Sequence, residues 1–268
     1  SFTSFWTVTT PTLAVNVPLN PPFAAGGGPL PRSASTEAVA AATTGALEAA
    51  GARCWEVCVT EERSASVEVV DGAVRAEESS FERAIGLRVL DGGVGFAGLA
   101  DPTPEGLARA ATAALAEARW VRRTPLESFA APERHAHAAA PPASFADPRA
   151  RGRLGQRLAE AARVLEARAR REDRRVVGVR PAQVTEVVAG FRLRTSAGLD
   201  VAEVSTRALA SVAALAETRA GRESQLAYAG GSAGAVEALD VERVAQRAAR
   251  RAVERLGAGG FRTAVVPV

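Results

Sequence analysis

Two histidines, two cysteines and a few acidic, basic and glycine-rich runs are the residues of this chain whose chemistry could define a site. His135 and His137 could offer two zinc ligands from an extended chain. A catalytic zinc needs three protein ligands and an open position, and no third ligand is evident beside them. A Ser-His-Asp triad would have to use one of the same two histidines. Both stand in a stretch rich in Ala and Pro, which would hold a base poorly, so a solvated loop is the better reading. Cys54 and Cys58, if on a strand, would face one side roughly 13 Å apart at ~3.3 Å per residue. A disulfide needs Cα atoms within about 7 Å, so they read as two partly buried thiols in a reducing compartment.

The remaining runs also have ordinary explanations. Asp91-Gly92-Gly93-Val94-Gly95 does not match the dinucleotide fingerprint, and no helix begins directly after it, so it reads as a hairpin. Glu77, Glu78 and Glu82 could bind a cation but suit a solvated strand edge. Arg168, Arg170, Arg171, Arg174 and Arg175 could contact phosphate, yet they fall where a helix ends and cations suit its dipole. No catalytic, cofactor-binding or metal residue is assigned from the sequence.

The elements that would position these residues come from periodicity. Residues 1–33, rich in Pro, Gly, Thr and Ser, read as a poorly ordered tail. A helix is expected over 36–50, capped by Thr36 and stopped at Gly51. Alternation then sets in around Trp55, Val57 and Val59, again at Val67 and Val69, and again at Ile85, Leu87 and Val89. Asp71-Gly72 is a two-residue hairpin signal. These signals predict four short antiparallel strands with one buried face. A helix opening at Pro104 follows, with Leu107, Ala111, Leu115 and Ala118 in one stripe through Trp120.

Residues 121–150 read as an Ala/Pro linker. A charged amphipathic helix is expected over 151–171, with Leu154, Leu158, Ala161 and Leu165 inward and a Glu166–Arg170 pair. Strands are expected at 174–180, 182–189, 191–195, 200–204 and 205–216, with a turn at Ser196-Ala197-Gly198. Tyr228-Ala229-Gly230-Gly231 reads as the start of a glycine-rich loop, and Asp240 as the cap of a last helix over 241–256. The whole predicts an α+β protein of two modules, each an antiparallel sheet packed with helices: 34–120 and 151–268.

Composition narrows the function. Hydrophobic residues make up 47% and charged residues 24%, as in an ordinary soluble domain. All 33 basic residues are arginine, but 30 acidic residues are interspersed and the net charge is only +3. A nucleic-acid partner, which favours a concentrated basic face, is therefore not expected. No run of 18 apolar residues suggests a membrane span. Ser1 in place of Met, and the apolar ending Val265–Val268, suggest a chain cut from something longer at the start of a further domain.

The ordered series carries a family resemblance over about residues 36–268. The strand Val59–Val69, the Asp71-Gly72 hairpin, and the run from Ser79 to Asp91-Gly92-Gly93-Val94-Gly95-Phe96-Ala97 are similar to the N-terminal domain of TldD/PmbA (TldE) proteins. Thr195-Ser196-Ala197-Gly198-Leu199-Asp200 resembles that family's central turn. The first domain leans towards PmbA, and Tyr228-Ala229-Gly230-Gly231 towards TldD. The resemblance implies a cytoplasmic zinc metallopeptidase system whose subunits pair and cleave unfolded or small peptides. Its active branch holds zinc with a His-Glu-x-x-x-His helix and a later Cys in a third domain. No position here matches them, so zinc is expected only in that absent domain or in a partner subunit. The implied role is a non-catalytic wall that admits peptide, paired as a homo- or heterodimer with a TldD/PmbA-type subunit. A strand over 205–216 is the expected free edge for capturing peptide. A regulatory or assembly module is the alternative, and an Arg-dependent nucleic-acid binder the more distant one.

Overall fold

In the computed structural model each half of the chain runs helix, three-stranded meander, helix. The structure describes residues 35–131, 156–219 and 221–259. The first half is α1 (Thr36–Ala49), β1 (Trp55–Val70), β2 (Ala73–Asp91), β3 (Gly93–Leu99) and α2 (Pro104–Trp120). The second is α3 (Gln156–Arg171), β4 (Val176–Thr195), β5 (Asp200–Glu217), β6 (Ser224–Ala233) and α4 (Val241–Glu254), with a short 3-10 turn at Val236–Ala238. The six strands form one antiparallel sheet in the palindromic order β3-β2-β1-β4-β5-β6. The expected α+β class is what the chain adopts, and the strands of both modules belong to this single sheet. The predictions for the tail, for most of the linker, and for His135, His137, Leu154 and Val265–Val268 lie outside the described residues.

The strands are fewer and longer than expected. β1 is continuous across Glu61–Ser66, and β2 across Glu78–Ala84. A central strand keeps its ladder through a polar stretch when both neighbours are strands: Arg63 pairs in register with Phe81 on one side and Val188 on the other. Side chains there also pair across strands, as Glu61 with Arg83 and Ser64 with Ser80 at 2.8 Å. The break expected near 181 is a bulge in β4 around Pro181, where a missing N–H is tolerated. The glycine-rich loop expected from Tyr228 is instead part of β6.

The turns and caps follow from local chemistry. Asp71 and Gly72 have φ of 54° and 75°, as a two-residue hairpin turn of type I′ requires. The cap of α1 is Ser35, one residue before the expected Thr36; its Oγ accepts from the Ala38 N–H at 3.2 Å. Thr103 caps α2, with Pro104 at the first helical position, and Asp240 caps α4.

All four helices cover one face of the sheet, in two separate cores. Odd-numbered β1 residues point to that face throughout. Trp55, Val57 and Val59 pack with Ile85, Leu87 and Val89 under α1 and α2. Ala65, Val67 and Val69 pack with Val184, Ala210 and Val212 under α3 and α4. Small residues set the helix–sheet distance. A Cβ on Gly95 of β3 would fall 1.9 Å from the Ala114 carbonyl oxygen and 2.5 Å from the Ala118 nitrogen of α2. The hairpin glycines therefore serve helix packing as well as the turn. Gly95→Ala is expected to lower stability by about 1–3 kcal/mol in urea denaturation. Gly45→Ala, in open space within α1, is expected to raise it by about 0.5–1 kcal/mol. Equal effects at the two positions would contradict this packing.

Candidate functional site

Among the described residues, the sheet face without helices and the unpaired strand edges are the surfaces left for function. Glu56, 5% exposed, lies on the uncovered face and accepts from Arg88 Nε at 2.7 Å and also from its Nη2. The guanidinium stacks 5.2 Å from the ring of Phe129, which is buried although it lies beyond α2 in a stretch without helix or strand. Thr195 at the end of β4 donates its hydroxyl proton to the Ala130 carbonyl at 2.7 Å, fixing that stretch against the sheet. Phe96 crosses the same face above Gly86 and Gly98, its ring carbons 3.6–3.7 Å from where their Cβ atoms would be.

On the helix-covered face, the floor between the two cores is polar and aromatic. Glu61 accepts from Arg83 Nε at 2.8 Å, and both are largely buried. Phe81 stands between Arg63 and Arg83, their guanidinium carbons 5.4 and 5.2 Å from the ring centre. Phe81 remains exposed beside the outer edge of β2.

That edge is the longest unpaired one on β2. Among the described residues β3 pairs only with Ile85–Asp91, and Ala73–Ala84 have a strand neighbour on one side alone. The Leu90 N–H donates to Cys54 on the β1 side at 2.9 Å. Because antiparallel residues alternate in direction, Glu77, Ser79, Phe81 and Arg83 turn their N–H and C=O groups outward. The expected edge at 205–216 is corrected by the same pairing. Ala210 lies between Val184 of β4 and Gly231 of β6, and only Asp200–Arg207 lack a β6 partner. The glycines of β6 have the composition of a loop, which hides this pairing from local sequence patterns.

The other singled-out residues separate rather than converge. Glu78 and Glu82 share the uncovered face of β2, and Glu77 takes the other face, all on a solvated strand. Cys54 and Cys58 are free thiols. In the arginine run, Arg170 pairs with Asp71 and Glu166, Arg175 with Asp173, and Arg168 with Glu242. Glu166 is almost fully buried and accepts from the Asp71 and Gly72 N–H groups at 2.6 and 2.7 Å, so α3 holds the tip of the β1–β2 hairpin. Among the described residues no three His, Cys, Asp or Glu side chains gather as a metal site would need. Nor is any described helix long and apolar enough to cross a membrane.

Residues 55–118 match the family model of PmbA/TldA metallopeptidase domain 1, and residues 153–256 that of the PmbA/TldA metallopeptidase central domain. The two halves are thus the first and central domains of a metallopeptidase-related protein. The chain belongs to the PmbA/TldD family. Its fold is similar to that of a protein described as a modulator of DNA gyrase from Bacteroides thetaiotaomicron, with a TM-score of 0.70, 18% identity, and coverage of 84% of this chain and 51% of the other. A second protein described in the same terms, from Thermotoga maritima, gives 0.64 and 17%, covering 85% and 50%. TldE from Thermococcus kodakarensis gives 0.59 and 17%, covering 79% and 47%. The chain spans about half the length of these relatives. Among curated proteins no match is found.

Cys58 gives this surface a titration signature. Burial first, and then the neighbouring Glu56 carboxylate, push its thiol from 9.0 up to about 11, with Arg88 opposing. A raised folded value means that stability is intact below the unfolded pKa and is lost as pH rises from about 9 towards 11. In a Cys54→Ser background, the pH profile of Cys58 alkylation is expected to have its midpoint near 11. A midpoint at the ordinary thiol value would contradict this environment.

Proposed function

We propose that this chain is the non-catalytic front portion of a TldD/PmbA-type zinc metallopeptidase assembly, a scaffold wall that admits unfolded or small peptides. In this proposal the assembly is cytoplasmic, and the chain forms a homo- or heterodimer with a TldD/PmbA-type subunit. Zinc would be held by a further domain or by the partner, and no catalytic step is assigned to residues of this chain. Family membership supports the setting. The observation that supports the peptide role is the edge of β2 over Ala73–Ala84, which has no strand partner among the described residues.

Strand addition at such an edge binds through main-chain hydrogen bonds and makes little demand on sequence. That suits a protein handling many unfolded substrates. Ser79 and Phe81 direct their backbone groups outward, while Arg63, Phe81 and Arg83 supply a stacked cationic and aromatic border. An incoming chain would extend the sheet there without disturbing the β1–β2 ladder. The ion pairs of Arg168, Arg170 and Arg175 draw most of the basic run into the fold, which favours peptide over nucleic acid as the ligand.

The test is fluorescence anisotropy with a labelled unfolded peptide, alongside zinc analysis and a cleavage assay of the 268-residue chain. Binding without zinc-dependent cleavage is expected. Ser79→Pro removes one outward N–H and should weaken binding about tenfold, since each lost hydrogen bond costs ~0.5–1.5 kcal/mol; Ser79→Ala should not. Unchanged binding by a folded Ser79→Pro protein would reject this edge. Stoichiometric zinc with peptide cleavage by the chain itself would reject the non-catalytic role.

A further inference from the structure

The outer edge of β6 differs from that of β2, because arginines already occupy its acceptors. Arg247 Nη2 donates to the Gly230 carbonyl at 3.2 Å, Arg251 Nη1 to Tyr228 at 3.1 Å, and Arg255 Nη1 to Leu226 at 3.0 Å. The spacing is commensurate: four helical residues rise about 6 Å, and two strand residues about 6.6–6.8 Å. One arginine per helical turn of α4 therefore meets every second carbonyl of β6. The seam is kept close by small residues, since a Cβ on Gly231 would fall 2.8 Å from Val244 Cγ2.

The carbonyls of residues 226, 228 and 230 point away from β5, and in an antiparallel strand their N–H groups point the same way. Pairing of Thr218 N–H with Glu223 O at 3.0 Å sets this phase. The neighbouring ion pair on α4, Arg250–Glu254, does not include the three arginines, which have no carboxylate partner among the described residues. Among the described residues the edge thus presents the N–H groups of Leu226, Tyr228 and Gly230 and the remaining guanidinium N–H groups, while each of its three carbonyls already accepts from an arginine. It is an edge of donors. A neutral strand would leave its own N–H groups unmatched against it with nothing in return, whereas a strand that also carries carboxylates offsets that loss by accepting from the guanidinium N–H groups.

We propose that the α4–β6 seam is a docking site for an acidic extended segment with a carboxylate at every second residue. Such a segment repeats its side chains at ~6.6–6.8 Å along one side, matching the arginine row. Its carbonyls can accept from the N–H groups of Leu226, Tyr228 and Gly230 while its carboxylates meet Arg247, Arg251 and Arg255. Carboxylate–guanidinium pairing in both charge and geometry is the complementarity that selects this ligand. The site is separate from the β2 edge and takes a different chain chemistry.

The full chain can be tested with labelled peptides in fluorescence anisotropy. An extended peptide with Glu at every second position should bind more tightly than one of equal length and charge with Glu at every third. Each of Arg247→Gln, Arg251→Gln and Arg255→Gln should raise Kd about tenfold, the worth of a charge-assisted hydrogen bond. Arg251→Lys, which keeps the charge but not the planar fork, should bind with an affinity between those of the unaltered chain and Arg251→Gln. Circular dichroism separates loss of binding from loss of fold, and the Lys variant keeps the test informative if a Gln variant unfolds. Equal affinity for the two Glu spacings, or affinity unchanged in the folded Gln variants, would overturn the proposal. Tighter, arginine-dependent binding of single-stranded DNA of equal charge would overturn it in favour of a nucleic-acid surface.

Discussion

The antiparallel ladder between β1 and β4 is the interaction on which the rest of the described structure depends. It runs in unbroken register from Glu56↔Thr195 to Val69↔Ala182. Without it each half would be a three-stranded meander with an open inner edge, the kind of edge that invites uncontrolled pairing. With it, β1 and β4 become the two central strands of one sheet, and the unpaired stretches move outward to β2, β3, β5 and β6. The ladder therefore both stabilises the sheet and decides which strand edges remain available to a ligand.

Contacts from each half brace the other around this ladder. α3 of the second half uses Glu166 and Arg170 to hold the hairpin tip at Asp71 and Gly72 of the first. α1 of the first half places Glu37 near Arg192 and Arg194 of β4, which also grip Asp200. Hydrogen bonds from these arginines hold the Asp200 carboxyl below the usual carboxylate range. The start of β1 is tied to the β4–β5 turn, with the Trp55 N–H donating to Ser196 Oγ at 3.0 Å and the Ser196 N–H to the Trp55 carbonyl at 2.9 Å. The buried Glu166 illustrates the balance involved. A buried carboxylate is costly alone, but two backbone donors and an arginine satisfy it here.

Much of this was legible in the sequence where one physical signal dominated. Helical stripes such as Leu107, Ala111, Leu115 and Ala118, and the Asp71-Gly72 turn, lie where their patterns place them. The alternation of Val57 and Val59, and of Val67 and Val69, located the buried face of β1 but not its continuity. The intervening Glu61–Ser66 is held by pairing on both sides, and pairing is a property of neighbours rather than of local composition. The same reason hid β6, whose glycines read as a loop although Gly231 is what lets α4 approach. Glu56, Glu166 and Phe129 looked like ordinary surface or linker residues. Their burial comes from partners far along the chain. The arginines of α4 could be seen at four-residue spacing, but the strand whose carbonyls they meet could not.

The most direct test of the account is hydrogen exchange by mass spectrometry, read together with urea unfolding of the full chain. If the β1–β4 ladder joins the halves, amides of β1 and β4 will be among the slowest to exchange, and both halves will unfold in one transition. Two separate transitions, with β1 and β4 amides exchanging as fast as surface loops, would contradict it.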